Sequence, residues 1–515
     1  MKRIFVFALI FAMLVPCLVA CKKSKTKVPE NTTPAETTRP QEYSDKYAVY
    51  DDLGDLNFGG RTVTIANVDR TWYDDEVASE GFTGDIVKDA IFSRNSAVEE
   101  RLNIEIESRR FKGPGVVQFA VVNNLEKDIL SGTLTYDLVQ SPSYASASYT
   151  NRNLFYNLQK VNALDLDNKV YWSGLFNETA SIGKGQYMAT GAISLSFYRF
   201  IFATLVNNRV LADHNNSPDL IEVVKDGEWT LEYQKMLASQ FYVDKGDSGK
   251  DEQDDFGLVT SDYLNVDPYW SACDLPVLKK GSDGFYTYDM DLERVSNTVD
   301  KILALFSDNG TFCYQLDGKH ETGNGEQIAI AEKFARGGAL MATLRLIELE
   351  NAAIRNMKDE YTVLPMPKYD EEQNDYYSYI HDSFTTVSIP SVVTPEEAEV
   401  LGSVLEALAS ESYRTVTPKY YEIALKTRYV DNPESAEMLD LITQNVKMDA
   451  AIVFMHGLVV EKSTVLTILR KISTDYYRKG ISPTVASSFS AFAGGIGEKL
   501  DSYQAKIEQM QKKGN

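Results

Sequence analysis

Gly59-Gly60-Arg61-Thr62-Val63-Thr64-Ile65-Ala66 is a glycine turn followed by an alternation of β-branched and polar residues, the pattern of a β-strand. Working outward, Ile86, Val87, Ala90, Ile91, Ala97, Val98 and Leu102 fall at helical spacing between Gly84 and Leu102. Asn103-Ile104-Glu105-Ile106-Glu107 alternates again, so the unit is β-α-β. A further helix is expected from about Val116 to Leu130, then a turn at Gly132. The strand Tyr136-Asp137-Leu138-Val139 follows and runs into Gln140-Ser141-Pro142-Ser143-Tyr144. Strands alternating with helices imply an α/β fold with a largely parallel sheet and ligands at the carboxyl ends of its strands.

Upstream, Lys2 and Arg3 precede an apolar run from Ile4 to Ala20 that is broken only by Pro16 and ends in Leu18-Val19-Ala20-Cys21. Lys22, Lys23, Lys25 and Lys27 follow at once. A charged start, an apolar stretch and a small-residue cleavage site read as a signal peptide over residues 1–20, not a retained span. The stretch resembles a bacterial lipobox, which implies that Cys21 carries lipid and becomes the N-terminus; an ordinary secretory signal containing a cysteine is the alternative. Several buried acyl chains, at roughly 0.8 kcal/mol per CH₂, would hold the mature chain on the outer face of a membrane, at a Gram-positive surface or in a periplasm. Residues 21–48 are rich in Lys, Thr, Pro, Glu and Ser and read as a flexible stalk.

The 515 residues allow two or three domains, and 43% hydrophobic content with 11% aromatics is enough to build a large core. The formal net charge is −22, and −24 once Lys2 and Arg3 are removed. A chain so acidic is repelled by phosphate backbones and anionic lipid, which argues against nucleic acid and keeps the body off the bilayer. After processing, Cys273 and Cys313 remain as the only unmodified cysteines. They are able to bridge in an exported protein but are no disulfide framework.

Farther along come Tyr187-Met188-Ala189-Thr190-Gly191-Ala192, Phe202-Ala203-Thr204-Leu205-Val206-Asn207-Asn208-Arg209, Gly227-Glu228-Trp229-Thr230 and Asp254-Asp255-Phe256-Gly257-Leu258. After these stand Phe334-Ala335-Arg336-Gly337-Gly338-Ala339-Leu340-Met341 and Tyr361-Thr362-Val363-Leu364-Pro365-Met366-Pro367. In this order, behind a lipobox and a stalk, they resemble the extracellular solute-binding proteins of ABC importers, of the sugar-binding family 1 type. The resemblance implies a type II periplasmic-binding-protein fold: two α/β lobes, each discontinuous in sequence, joined by a hinge of two or three strands around a ligand cleft. By analogy, lobe 1 takes residues 49–197 and 383–429, and lobe 2 takes 198–382 and 430–515. Helix-rich sequence is expected from Thr394 to Leu425 and from Ser435 to the end.

A sugar offers a flat apolar face and a rim of hydroxyls, so its cleft needs aromatic platforms beside carboxylates, amides and arginines. With 30 Tyr, 23 Phe and 4 Trp the chain has platforms to spare. Asn67, Arg70, Trp72 and Tyr73 follow the first strand, and Ser141, Ser143 and Tyr144 follow the strand ending at Val139. Tyr263, Asn265, Asp267, Tyr269 and Trp270 cluster in a second-lobe stretch where Trp270 is the chosen stacking residue. Arg345 follows the strand from Ala339, His381 and Asp382 lie near the second crossing, and Tyr413, Tyr420 and Tyr421 are weaker candidates. Each is also readable as an ordinary loop, core or hinge residue.

The acidic run from Asp244 to Asp255 resembles a calcium loop, with Asp244, Ser248, Glu252 and Asp255 as candidate ligands and Gly249 at the turn. Gly246 stands where the motif wants an oxygen, and a solvated acidic loop is the alternative. The chain contains no Gly-x-Ser-x-Gly, His-Glu-x-x-His or Walker loop and only four histidines. With 74 acidic residues, carboxylate pairs are too common to nominate a glycosidase. The expectation is a binding protein, not an enzyme, that needs no cofactor beyond a structural calcium. It would act as a monomer, delivering a small polar ligand, a mono- or oligosaccharide, to an ABC permease; a secreted glycoside hydrolase and a surface sugar sensor are the alternatives.

Overall fold

The computed structural model describes residues 46–70, 76–79, 81–112, 117–214, 217–246, 249–315, 325–426 and 433–514. Strands β1 (Arg61–Val68), β2 (Ile104–Phe111) and β3 (Leu138–Pro142) form one sheet. Strands β4 (Phe202–Asn207), β5 (Phe256–Ser261), β6 (Thr311–Tyr314), β7 (Ala339–Arg345) and β8 (Tyr361–Leu364) form a second, and the chain then returns to the first with β9 (Thr385–Ser388). The four-stranded sheet runs β9-β3-β1-β2 and the five-stranded sheet β6-β5-β7-β4-β8. The fold is α/β with two lobes.

Local chemistry explains the first unit. Helix α1 (Ile86–Leu102) starts where the Asp85 carboxylate accepts from the Val87 and Lys88 amides, both at 3.0 Å. It ends at Asn103, which takes the left-handed conformation at φ 49°. Val87, Ala90, Ile91, Val98 and Leu102 are buried, as the spacing predicts. Helix α2 (Ala120–Ser131) stops at Gly132, φ 68°. The expected strand at 136–139 instead begins at Leu138 and extends to Pro142. Asp137 sits outside it, its carboxylate accepting from the Thr64 amide at 2.8 Å.

The sheets are less uniformly parallel than expected. β1 pairs parallel with β2 and β3, and β5 with β6 and β7, but β9 runs antiparallel to β3, and β4 runs antiparallel to β7 and β8. The reason is connectivity: β4 and β9 follow passages between the sheets, whereas parallel neighbours need a crossover within one sheet. At the passages the chain runs side by side with itself. Ile201 bridges Ile380, Phe202 N donates to Tyr379 O at 3.0 Å, and His381 N donates to Phe200 O at 3.0 Å. A third segment joins through Ser378 N to Asn445 O, 2.9 Å, and Lys447 N to Ser378 O, 3.0 Å.

Among the remaining helices are α3 (Gly174–Ala180), α4 (Asp267–Ala272), α5 (Leu292–Phe306), α6 (Pro395–Lys426), α7 (Val465–Lys479) and α8 (Val485–Lys512). α6 is fixed to the first sheet by Arg61, which bonds both carboxylate oxygens of Glu397 at 3.0 and 2.6 Å. The motifs that carried the resemblance have structural work. Thr230 caps the helix after it by accepting from Tyr233 N at 3.2 Å, and the Trp229 indole donates to Pro365 O at 2.9 Å. Gly257 has no room for a side chain, because a Cβ there would lie 2.0 Å from Ala238 O. Cys273 and Cys313 are free buried thiols, so the bridge considered from sequence does not form. No helix among the described residues is long and apolar enough to cross a membrane.

Candidate functional site

Where the passages leave the two sheets, side chains from distant stretches converge. The carboxyl end of β3 delivers Ser143 and Tyr144, whose amides donate to Phe384 O at 2.7 Å and Asp382 O at 3.4 Å. The Tyr144 ring lies 5.2 Å from the His456 ring and 5.3 Å from that of Phe119. Burial pushes the Tyr144 hydroxyl well above its ordinary pKa, with the Asp382 charge acting the same way and Arg70 opposing. Arg70, Tyr144, Asp382 and His456 are thereby neighbours.

The second sheet contributes Arg345 from the end of β7. Its guanidinium donates to Glu348 at 2.6 Å and lies 5.6 Å from the Phe200 ring, while its Nε has no partner among the described residues. His381 stands 6.2 Å from the same ring. Burial lowers the His381 pKa to about 4, against the Asp382 charge that would raise it, so the imidazole is neutral near pH 7. The 3.6 Å approach of His381 Nε2 to Asp382 is therefore no ion pair, and Nδ1 has no partner among the described residues. Tyr379, on the same passage, is buried, its hydroxyl has no partner among the described residues, and it feels the charges of Asp267, Asp382 and Arg470.

Beside this group Asp267 and Arg470 form a bidentate ion pair at 2.9 and 3.0 Å from Nε, with a further bond from Nη2. Burial opposes the Arg470 charge, but the Asp267 carboxylate carries the guanidinium above its usual pKa. The guanidinium also lies 5.3 Å from the Tyr263 ring. Asn265 is held by Thr343 O and by Gln327, both at 2.6 Å, and Gln327 Oε1 and Glu326 Oε2 are left without partners among the described residues. The result is a buried, charge-matched wall with several unpartnered polar atoms.

The other residues singled out from sequence are dispersed. Trp72 and Tyr73 lie outside the described residues. Asn67 is buried at the end of β1, accepting from Ser108 Oγ at 3.0 Å with no partner for its Nδ2 among the described residues, and the Ser141 hydroxyl is likewise buried. Trp270 is fully buried on α4, 5.4 Å from the Phe489 ring, and Tyr269 is a core residue bonded to Gln234 at 3.0 Å. A ring without accessible surface offers no face for stacking, so Trp270 does not form a platform in this conformation. Tyr413 and Tyr421 pack around Tyr47, at 5.2 and 6.3 Å, and Tyr420 is buried beside Tyr421.

At the acidic loop, Ser248 lies outside the described residues. Asp244 accepts from Gly246 N at 2.7 Å, Glu252 accepts from the Tyr314 hydroxyl at 3.1 Å, and Asp255 pairs with Lys245 at 2.7 Å. The Lys333 ammonium enters the loop and donates to the carbonyls of Glu252, at 3.0 Å, and Asp254. Positive charge reaches this loop from lysine, and the described residues hold no group of three or more metal-ligating side chains.

No family model matches the chain, and no curated protein matches it. Among solved structures it is similar to a cyclo/maltodextrin-binding protein in complex with maltotetraose, at 15% identity and a TM-score of 0.52, over 85% of this chain and 97% of that one. The fold is the two-lobed one of solute-binding proteins. An uncharacterized protein from Listeria monocytogenes is similar at 13% identity and a TM-score of 0.51, over 84% of this chain and 99% of that one.

Sequence reasoning missed Phe119, His456, Arg470, Glu326 and Gln327. Arg470 had no local signal, because its partner is 203 residues away. His456 is one of four histidines, and its rarity was the one available hint.

Proposed function

We propose that the chain is a lipid-anchored, extracellular solute-binding protein that captures a neutral mono- or oligosaccharide between its lobes and delivers it to an ABC permease. The observation that carries this reading is the set of unpartnered buried polar atoms at the passages: Arg345 Nε, His381 Nδ1, the Tyr379 hydroxyl and Gln327 Oε1. Buried polar groups are normally hydrogen-bonded, and a group left unmatched costs about 1–3 kcal/mol. A hydroxyl-rich ligand supplies both donors and acceptors and would match them. The matched charges of Arg470 with Asp267 and Arg345 with Glu348, beside a neutral imidazole, favour an uncharged ligand over an anionic one. The resemblance in fold to a protein solved with maltotetraose supports a carbohydrate. Anchoring through Cys21 and transfer to a permease rest on the sequence.

The test is a thermal-shift screen of the chain from Val49 against sugars, oligosaccharides, peptides and amino acids, followed by mass spectrometry of the added compound. A ligand at 100 times its Kd stabilises the native state by about 2.7 kcal/mol, a visible rise in Tm. A shift with an intact sugar supports the reading, whereas a cleaved sugar replaces it with a glycoside hydrolase. Radiolabelled palmitate incorporated by wild type and lost in Cys21→Ala tests the anchor.

A further inference from the structure

Away from the passages the lobes meet again, and the C-terminal helix makes the connection. Residues 147–186 belong with the first sheet: Tyr156 N donates to Ile389 O at 2.8 Å, Ser391 N donates to Leu154 O at 2.9 Å, and the Phe176 ring lies 5.1 Å from that of Phe384. Helix α8 belongs with the second lobe, where it runs against α5, sets Phe489 5.4 Å from the Trp270 ring and bonds the Tyr286 backbone through Gln504 at 2.6 and 2.9 Å. Its C-terminal half nevertheless reaches across. The Tyr503 hydroxyl donates to Ala147 O at 2.7 Å, and Gln511 Nε2 donates to Ile182 O at 2.8 Å. Beside them a second-lobe hairpin of Leu278–Lys280 and Tyr286–Tyr288 grips the same stretch. Lys280 Nζ donates to Glu178 O at 2.6 Å, the Tyr286 hydroxyl donates to Thr179 O at 2.9 Å, and Gly183 N donates to Gly284 O at 2.9 Å.

The bonds of this clasp share one chemistry. Each acceptor is a backbone carbonyl, so the grip depends on where the two lobes stand and not on the charge of an acid. Each bond is modest in net terms because water replaces it when the lobes separate, and the set is therefore firm but reversible. Bodies joined at one place swing apart about it, whereas bodies joined at two places rotate only about the line between the joints, and any other motion breaks one of them. Two-lobed binding proteins admit ligand by such rotation. With the clasp made, Tyr379 and Gln327 at the passages have no exposed surface and Arg345 is 3% exposed. A solute does not reach these groups until the lobes part.

We infer that the clasp is a latch. While α8 and the hairpin hold residues 147–186, the lobes stay in a state closed to ligand; when these bonds release, the lobes part and the passage groups become accessible. The consequence for ligand entry rests on the sugar-binding reading above, whereas the coupling between clasp and lobe separation does not.

Pulsed electron–electron distance measurements on the chain after the signal peptide, carrying Cys21→Ala, test the latch with no sugar present. Cys273 and Cys313 are buried, so spin labels go to Leu130→Cys on the first lobe and Met236→Cys on the second, both exposed positions. A second pair at the exposed Val392→Cys and Ile481→Cys covers a rotation that leaves the first distance unchanged. Tyr503→Phe, Gln511→Ala and Lys280→Met each remove a donor from the clasp. The expected result is one separation in the parent chain and a second, different one in the variants, its population rising about fivefold for each donor removed. Tyr503→Phe alone keeps the buried ring and gives the first step, and the triple variant gives the largest. A triple variant with the parent's separations in both pairs overturns the inference, whatever its melting temperature, since the clasp would then serve only the fold. A parent chain already spread over both separations overturns it as well. Failure of the thermal-shift screen to find a sugar would remove the sugar reading and leave these distances as they are.

Discussion

Two buried polar clusters flank the passages between the lobes, and they are finished to different degrees. Around Glu76 the polar bonding is complete: its carboxylate accepts from Gln140 Nε2 at 3.0 Å, Thr385 Oγ1 at 2.6 Å and Ser196 N, tying β3, β9 and the helix before the first passage into one knot. Around Arg345, His381 and Tyr379, at a comparable depth, each residue keeps a polar atom without a partner among the described residues. The comparison teaches how to divide buried polar residues. Where all bonds are made the group holds the fold; at the passages, where some are missing, the proposed ligand would complete them.

The largest expected effect tests the finished class. Asp267 has no exposed side-chain surface and its only ion-pair partner among the described residues is Arg470. Arg470→Met strands a buried carboxylate and should lower unfolding stability by about 3–5 kcal/mol in a urea titration. A loss below 1 kcal/mol would show that water reaches Asp267 and that the wall is not dry.

Next comes a pH effect from the unfinished class. The folded His381 pKa is about 4, below the roughly 6.5 of the unfolded chain. Between these values the unfolded chain binds the proton more readily, so stability grows as pH rises from about 4 to 6.5 and is lost in the opposite direction, by on the order of 3 kcal/mol. His381→Phe should flatten that part of the stability curve. Glu76 acts with the opposite sign: burial raises its pKa in spite of its hydrogen bonds, so its contribution weakens as pH rises through the folded value. An imidazole chemical shift for His381 that titrates near pH 6.5 would falsify its neutral assignment.

Glu76→Leu comes third. Removing the carboxylate leaves the Ser196 amide without its acceptor and takes one of two acceptors from Gln140 Nε2, which keeps Thr385 Oγ1 at 3.0 Å, a loss of roughly 2–3 kcal/mol by chemical denaturation. Sugar affinity should change less than in the passage variants, because the Glu76 carboxylate is already bonded within the fold. A fall in affinity greater than tenfold with stability intact would move Glu76 into the unfinished class.

The fold was easier to read than the site because the two rest on different kinds of information. The strand at Arg61–Val68 and the helix ending at Leu102 are written as local periodicity, and Trp229-Thr230 keeps its N-cap role within one turn. Trp270 shows where such reading ends. Its type and neighbours suit a platform, yet Phe489, far along the chain, covers its face. His381, Arg345 and Tyr144 could be nominated because each follows a strand or crossing. Arg470 sits on α7 and His456 in a turn ahead of it, both after the third passage, and no local pattern marks either residue as facing the passages.

The smallest expected change in stability divides the two classes most sharply. Tyr379→Phe deletes a hydroxyl that has no partner among the described residues and leaves the ring against Phe202, 5.9 Å away. In the finished cluster any such deletion strands a partner. Here it strands none, so the ligand-free protein should unfold within about 0.5 kcal/mol of wild type or be slightly more stable. Affinity for the sugar found in the thermal-shift screen should fall about tenfold, since a hydrogen bond near 1.4 kcal/mol is made only in the complex. The two readouts are independent, and calorimetric titration beside urea denaturation separates them. Loss of stability with affinity unchanged would mean that the Tyr379 hydroxyl serves the fold, and the division between finished and unfinished clusters would fail at the residue where it is drawn most plainly.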